Sequence, residues 1–115
     1  MVALCLALSS YGQSGNGKQP ISQPLVSHIY TADPSAHVFK GRIYIYPSHD
    51  IDAAVKEDDD GGHFAMRDYH ILSMKKMGGK VTDHGVALDI KDIPWAGRQL
   101  WAPDATYKDG MYYLY

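Results

Sequence analysis

Asp33-Pro34, at the entrance to a run of aromatic and β-branched residues, is the dipeptide in this sequence best suited to chemistry. Proline fixes its own φ, removes a backbone donor and biases the preceding residue toward extended backbone, so Asp33 is expected on a stiff, extended element. A carboxylate held in that way can act as a general base on water. Local chemistry alone favours a plainer role, a turn former that caps Ser35 or Ala36. The run Asp58-Asp59-Asp60, followed by Gly61-Gly62-His63, brings together oxygen ligands of the kind Ca²⁺ takes. It lacks the bidentate Glu that completes such a loop, and an acidic run is ordinarily a solvated face, so no metal is assigned. The chain has no Gly-rich phosphate loop, no paired Cys for zinc and no Gly-x-Ser-x-Gly elbow, which leaves nucleotide, zinc and serine-hydrolase chemistry without support. No cofactor is expected.

The elements that must position Asp33 read as strands. Short aromatic and β-branched runs separated by turn residues cover His37–Phe39, Arg42–Tyr46, Tyr69–Met74, Gly85–Leu88 and Met111–Tyr115. Lys40-Gly41 and Asp109-Gly110 each lie between two such runs, and glycine supplies the positive φ a tight hairpin needs. These hairpins are copies: Ala36 to Tyr46 lies over Ala105 to Tyr115 at a constant offset of 69 residues, and Asp33-Pro34 faces Ala102-Pro103 at the same offset. A repeat of strand, turn and strand is the inner half of a propeller blade. Blades recur every ~40–50 residues, so the longer offset predicts an insertion, which the polar stretch Asp50 to Gly62 supplies. A hairpin-rich sandwich is the competing architecture. A closed ring of four or more blades needs at least about 160 residues, so the chain is expected to be a fragment of a larger protein.

Composition narrows the partners. With 45% hydrophobic residues and a net charge of -2, the chain has the make-up of an ordinary folded domain. Its 11 basic residues are scattered and answered by 13 acidic ones, so no positive stripe is available for nucleic acid or anionic lipid. Nine Tyr and two Trp against two Phe favour rings with a polar edge, which suit sugar-facing clefts as well as strands. Met1 to Ser9 is apolar but too short to span a bilayer, and resembles the core of a signal peptide without its basic start, which predicts a secreted or periplasmic protein. Cys5 lies in that stretch and cannot form an internal disulfide, being the single cysteine. Residues Tyr11 to Pro24 read as a linker, giving a leader and linker over 1–24 and a propeller segment over 25–115.

The run from Pro24 to Asp50 resembles the first blade of glycoside hydrolase family 43, and Trp101-Ala102-Pro103-Asp104 with Tyr107 to Tyr115 resembles the opening of its second blade. The resemblance implies an all-β, five-bladed β-propeller of which this chain covers about the first blade and the start of the second. It implies an inverting hydrolase of plant cell-wall pentosides, acting on xylo- or arabino-oligosaccharides, with Asp33 as the general base. Inversion requires a second carboxyl group about 6.5–9.5 Å away that stays protonated as the acid. In the family that acid is a Glu on a later blade. The sole Glu here, Glu57, lacks the corresponding surroundings, so neither the acid nor the Asp that tunes it is assigned, and the chain alone is expected to be inactive. Trp101, Ala102 and Pro103 match the segment lining the sugar pocket, where an indole face can pack on a sugar ring.

His49 and Asp50 are expected just after the second strand, with His63, Phe64, Arg67 and Asp68 opening the third. Of these, His49, Arg67 and Asp68, together with Arg98, are candidates to hydrogen-bond substrate hydroxyls, against the commoner fate of ion pairing. Two rivals remain at this point: a non-catalytic carbohydrate-binding propeller, and a retaining sucrose- or fructan-type five-bladed hydrolase in which the first Asp is a nucleophile.

Overall fold

A computed structural model describes residues 22–52 and 54–115. The apolar start, Cys5 and most of the linker lie outside the described residues. Four antiparallel strands form one sheet in sequence order: β1 (Tyr30–Phe39), β2 (Arg42–Asp50), β3 (Met66–Met74) and β4 (Thr82–Asp89). A 3-10 turn at Ile90–Asp92 leads away, and a separate hairpin follows, β5 (Ala105–Lys108) with β6 (Met111–Leu114). The architecture is all-β: a complete four-stranded propeller blade and the opening hairpin of the next. Among the described residues no helix is long and apolar enough to cross a membrane.

Both hairpins turn in the same way, which accounts for the repeat in the sequence. Lys40 and Gly41 have φ of 49° and 73°, and Asp109 and Gly110 have 51° and 83°. Positive φ at both central residues is the type I′ turn, whose twist matches that of the strands it joins. The β2–β3 connection carries the acidic insertion, as expected, and Asp58 organises it. Its Oδ1 accepts hydrogen bonds from the Gly62 and Asp60 amides at 2.7 and 3.1 Å, so this carboxylate closes a loop.

The strands run longer than the sequence indicates. β1 begins seven residues before His37, at Tyr30. His49 and Asp50 close β2 instead of following it, and Arg67 and Asp68 lie inside β3, whereas His63 and Phe64 remain in the preceding loop. Ile45, Leu72 and Met74 form the buried core of the sheet, with Val26, Ile43 and Val81 packed against it. Gly85, at φ 81°, interrupts β4, and the β3–β4 register slips on either side of His70.

Candidate functional site

Asp33 occupies a β-bulge. Ala32 pairs with Ser48 and Ser35 with Tyr46, so Asp33 and Pro34 together oppose the single residue Pro47. Neither proline has an N–H to give to the ladder, which makes this the point where pairing can lapse at least cost. The expected extended backbone is not what forms: Asp33 has φ of 47°, in the left-handed region. The reason is the extra residue, since a two-against-one bulge must fold its surplus length into one position, and Asp tolerates left-handed backbone better than most residues. The consequence is a carboxylate swung out of the sheet's alternation and exposed.

Cross-strand register gathers several other candidates at the end of the sheet toward which Asp33 lies. Thr31 faces His49, His49 faces Asp68, and Asp50 pairs with both Tyr30 and Met66. The Leu100 amide donates to the Met66 carbonyl at 2.7 Å, which ties the segment carrying Trp101 to the same end. Gln99 strengthens that tie through its side-chain amide, which donates to the carbonyls of Gly61 and Phe64. Trp101 packs on Phe64 with ring centroids 5.7 Å apart, yet remains 51% exposed. Ala102 is exposed and Pro103 is fully buried, an anchor beside the indole more than a contact surface.

The charged candidates separate. His49 Nδ1 lies 2.9 Å from Asp68 Oδ1, both half-buried, so these two form a pair. Arg98 reaches the insertion, its Nη2 lying 3.4 Å from where a side chain on Gly62 would begin. Arg67 is exposed and stands near Asp89, whose carboxyl is held below its ordinary value first by the Lys91 amide and then by the Lys91 side chain.

Two interactions escape a reading of the sequence. His37 Nε2 lies 2.5 Å from Asp104 Oδ1, joining β1 to the Trp101–Asp104 segment across 67 residues. Asp104 is drawn down to about 2 by that imidazole and by the Ala105 amide, and its backbone exchanges two hydrogen bonds with Tyr115. The second is a string of alternating imidazoles and carboxylates. His28 Nε2 lies 2.7 Å from Asp83 Oδ2, His70 Nδ1 lies 3.1 Å from Asp83 Oδ1, and His70 Nε2 lies 3.5 Å from Asp68 Oδ1, where His49 joins. Both depend on pairings between distant strands, which no local spacing encodes.

No family model matches the chain. Among curated proteins it is 56% identical over 94 residues to xylosidase/arabinosidase 43A of Humicola insolens, covering 80% of this chain and 29% of that protein. It is 56% identical over 92 residues to a xylosidase/arabinosidase of Bacteroides ovatus, covering 79% and 28%. Among solved structures it is similar to a GH43 β-xylosidase/α-arabinofuranosidase from a compost microbial metagenome, in complex with xylotriose and in calcium-free form. The identity is 77% and the TM-score 0.78, over 81% of this chain and 28% of that one. A GH43_1 enzyme of Xanthomonas citri complexed with xylotriose matches at 55% identity and a TM-score of 0.71, over 82% and 26%. The chain therefore spans less than a third of the length of these relatives.

Proposed function

Because the chain belongs to glycoside hydrolase family 43, we propose that it is the base-bearing part of an enzyme that hydrolyses xylosidic or arabinosidic bonds in xylo- and arabino-oligosaccharides, with inversion. The blade and hairpin are then the first blade and the start of the second in a five-bladed ring. The observation that carries the assignment of roles is the bulge at Asp33, since bulges next to active sites serve to re-aim a side chain.

In this reading water stands between Asp33 and the anomeric carbon. Asp33, ionised, accepts the proton as the water oxygen attacks from the face opposite the leaving group. A carboxylic acid on another blade protonates the departing glycosidic oxygen, and about 6.5–9.5 Å between the two carboxyls leaves room for the water. Trp101 would pack against a sugar ring, with Ala102 and Pro103 setting its position. His49, Arg67, Asp68 and Arg98 are the proposed contacts to sugar hydroxyls, of which the His49–Asp68 pair is the most firmly held.

The test is made on the full-length enzyme with nitrophenyl β-xyloside and α-arabinofuranoside. Asp33→Ala should lower kcat by about 10²–10⁴-fold, the usual contribution of a general base, with little change in KM. The first-formed sugar, followed by NMR, should have the anomeric configuration opposite to that of the substrate. Retained configuration would make Asp33 a nucleophile and overturn the assignment. Export belongs to the same proposal, and rests on the apolar run Met1 to Ser9; a reporter fused behind the intact leader should appear outside the cytoplasm.

A further inference from the structure

His49, Asp68 and His70 come together from the end of β2 and the start of β3, with one potential ligand atom from each lying within 4.8 Å of the others. Their protonation follows from their neighbours. A carboxylate only accepts hydrogen bonds, and His70 Nδ1 lies 3.1 and 3.2 Å from the two oxygens of Asp83, so Nδ1 carries the hydrogen. In the neutral ring that leaves the lone pair on Nε2, which lies 3.5 Å from Asp68 Oδ1, in a setting where the two side chains are only 10% and 14% exposed. Asp68 Oδ1 is already hydrogen-bonded to His49 at 2.9 Å, but that hydrogen does not serve the His70 lone pair, and a cation between the two would.

The separation indicates which cation. A proton shared between an imidazole and a carboxylate draws N and O to about 2.7–2.9 Å. Two ligands bound at about 2.1 Å to one tetrahedral ion lie about 3.4 Å apart. The observed 3.5 Å fits the second case. His49 Nδ1, at 2.9 Å from the same Asp68 oxygen, carries a hydrogen by the same reasoning; to serve as a ligand it would pass that hydrogen to Nε2 and move outward by about half an ångström.

We propose that His49, Asp68 and His70 bind a divalent cation of the zinc class, with water completing the coordination. Two nitrogens and one oxygen suit Zn²⁺, Co²⁺ or Ni²⁺, whereas Ca²⁺ takes six or more oxygens. Asp83 is the outer partner that fixes the His70 ring, and it is itself held by the Gly85 amide at 2.7 Å and by His28. The ion would clip β2 to β3 beside Thr31, two residues before Asp33. In the acidic run Asp58 to Asp60, the Asp58 carboxylate is occupied in closing its own loop.

The test is a calorimetric titration of ZnCl₂ into the purified full-length enzyme after treatment with a chelator. One ion per chain is expected, undisturbed by tenfold excess Ca²⁺. Asp68→Asn and the double variant His49→Ala/His70→Ala should abolish binding, and Asp83→Asn should weaken it by about 10–100-fold, the usual effect of removing an outer partner. Should a variant fail to fold, Co²⁺ added to the unsubstituted protein decides the matter, through the visible absorption of a tetrahedral site with nitrogen ligands. Absence of saturable zinc binding, binding undiminished in the double variant, displacement by Ca²⁺, or an octahedral cobalt spectrum would each overturn the proposal. None of these readouts depends on glycosidase activity.

Discussion

At the scale of single residues, the structure sets Asp33 and Asp83 apart as carboxylates under opposite constraints. Asp33 is exposed and left-handed, in a position where the chain carries one residue too many. Asp83 is enclosed, and although burial pushes its carboxyl up, the Gly85 amide, His28 and His70 outweigh this and bring it down to about 2 from 3.8. A carboxyl whose pKa is lower in the folded than in the unfolded state contributes stability above the unfolded value, and that contribution is lost as pH falls through the folded value. Stability should therefore decline between about pH 4 and pH 2. Asp83→Asn should flatten the decline, which urea melts across that range would measure; an unchanged profile would remove Asp83 from the account. The Asp33-Pro34 dipeptide was legible as a stiff point in the chain, but its conformation was not. Proline's bias on its neighbour is local, whereas the bulge arises because Pro47, fourteen residues later in sequence, stands opposite.

At the scale of elements, legibility follows the range of the forces involved. Lys40-Gly41 and Asp109-Gly110 could be read directly, because a type I′ turn is specified by the two residues that form it. The first half of β1 could not, since Pro34 argues locally against a strand and only the bulge makes room for it. The His49–Asp68 and His37–Asp104 pairs, across 19 and 67 residues, follow from register and from packing between sheets. Two outcomes are expected here. Gly41→Ala places a Cβ at φ 73° and should destabilise the blade by about 1–2 kcal/mol, the cost of left-handed backbone for a residue with a side chain. Leu72→Ala removes a side chain that is 2% exposed from the core and should cost about 2–5 kcal/mol. Both are measurable as shifts in denaturation midpoint of the full-length enzyme; equal effects of the two would contradict the distinction between a surface turn and the core.

At the scale of the whole molecule, β5 and β6 make a two-stranded sheet whose large side chains are largely uncovered: Tyr107, Met111 and Tyr112, with Tyr115 just beyond β6, are 50–65% exposed. Its visible attachment to the blade includes Tyr112, set edge-on against Phe39 at 5.0 Å, and the His37–Asp104 pair. A lone two-stranded sheet is marginal in water, and a contiguous apolar face promotes association. The isolated chain is therefore expected to self-associate at micromolar concentration, visible in light scattering, and Tyr112→Lys should reduce this. A monomer that melts in one sharp transition would count against it.

The left-handed Gly85 in β4 bears on how such a blade avoids its own copies. Among the described residues β4 lies at the outer margin of the four-stranded sheet, where amides and carbonyls face outward without a neighbouring strand. A flat margin would offer these groups at regular intervals to any other flat margin. The kink at Gly85 breaks the interval, so that a second molecule can match the pattern on one side of the glycine or on the other, but not along its whole length. A valine there would favour an extended backbone, straighten the margin and turn a deterrent into a seed for stacking.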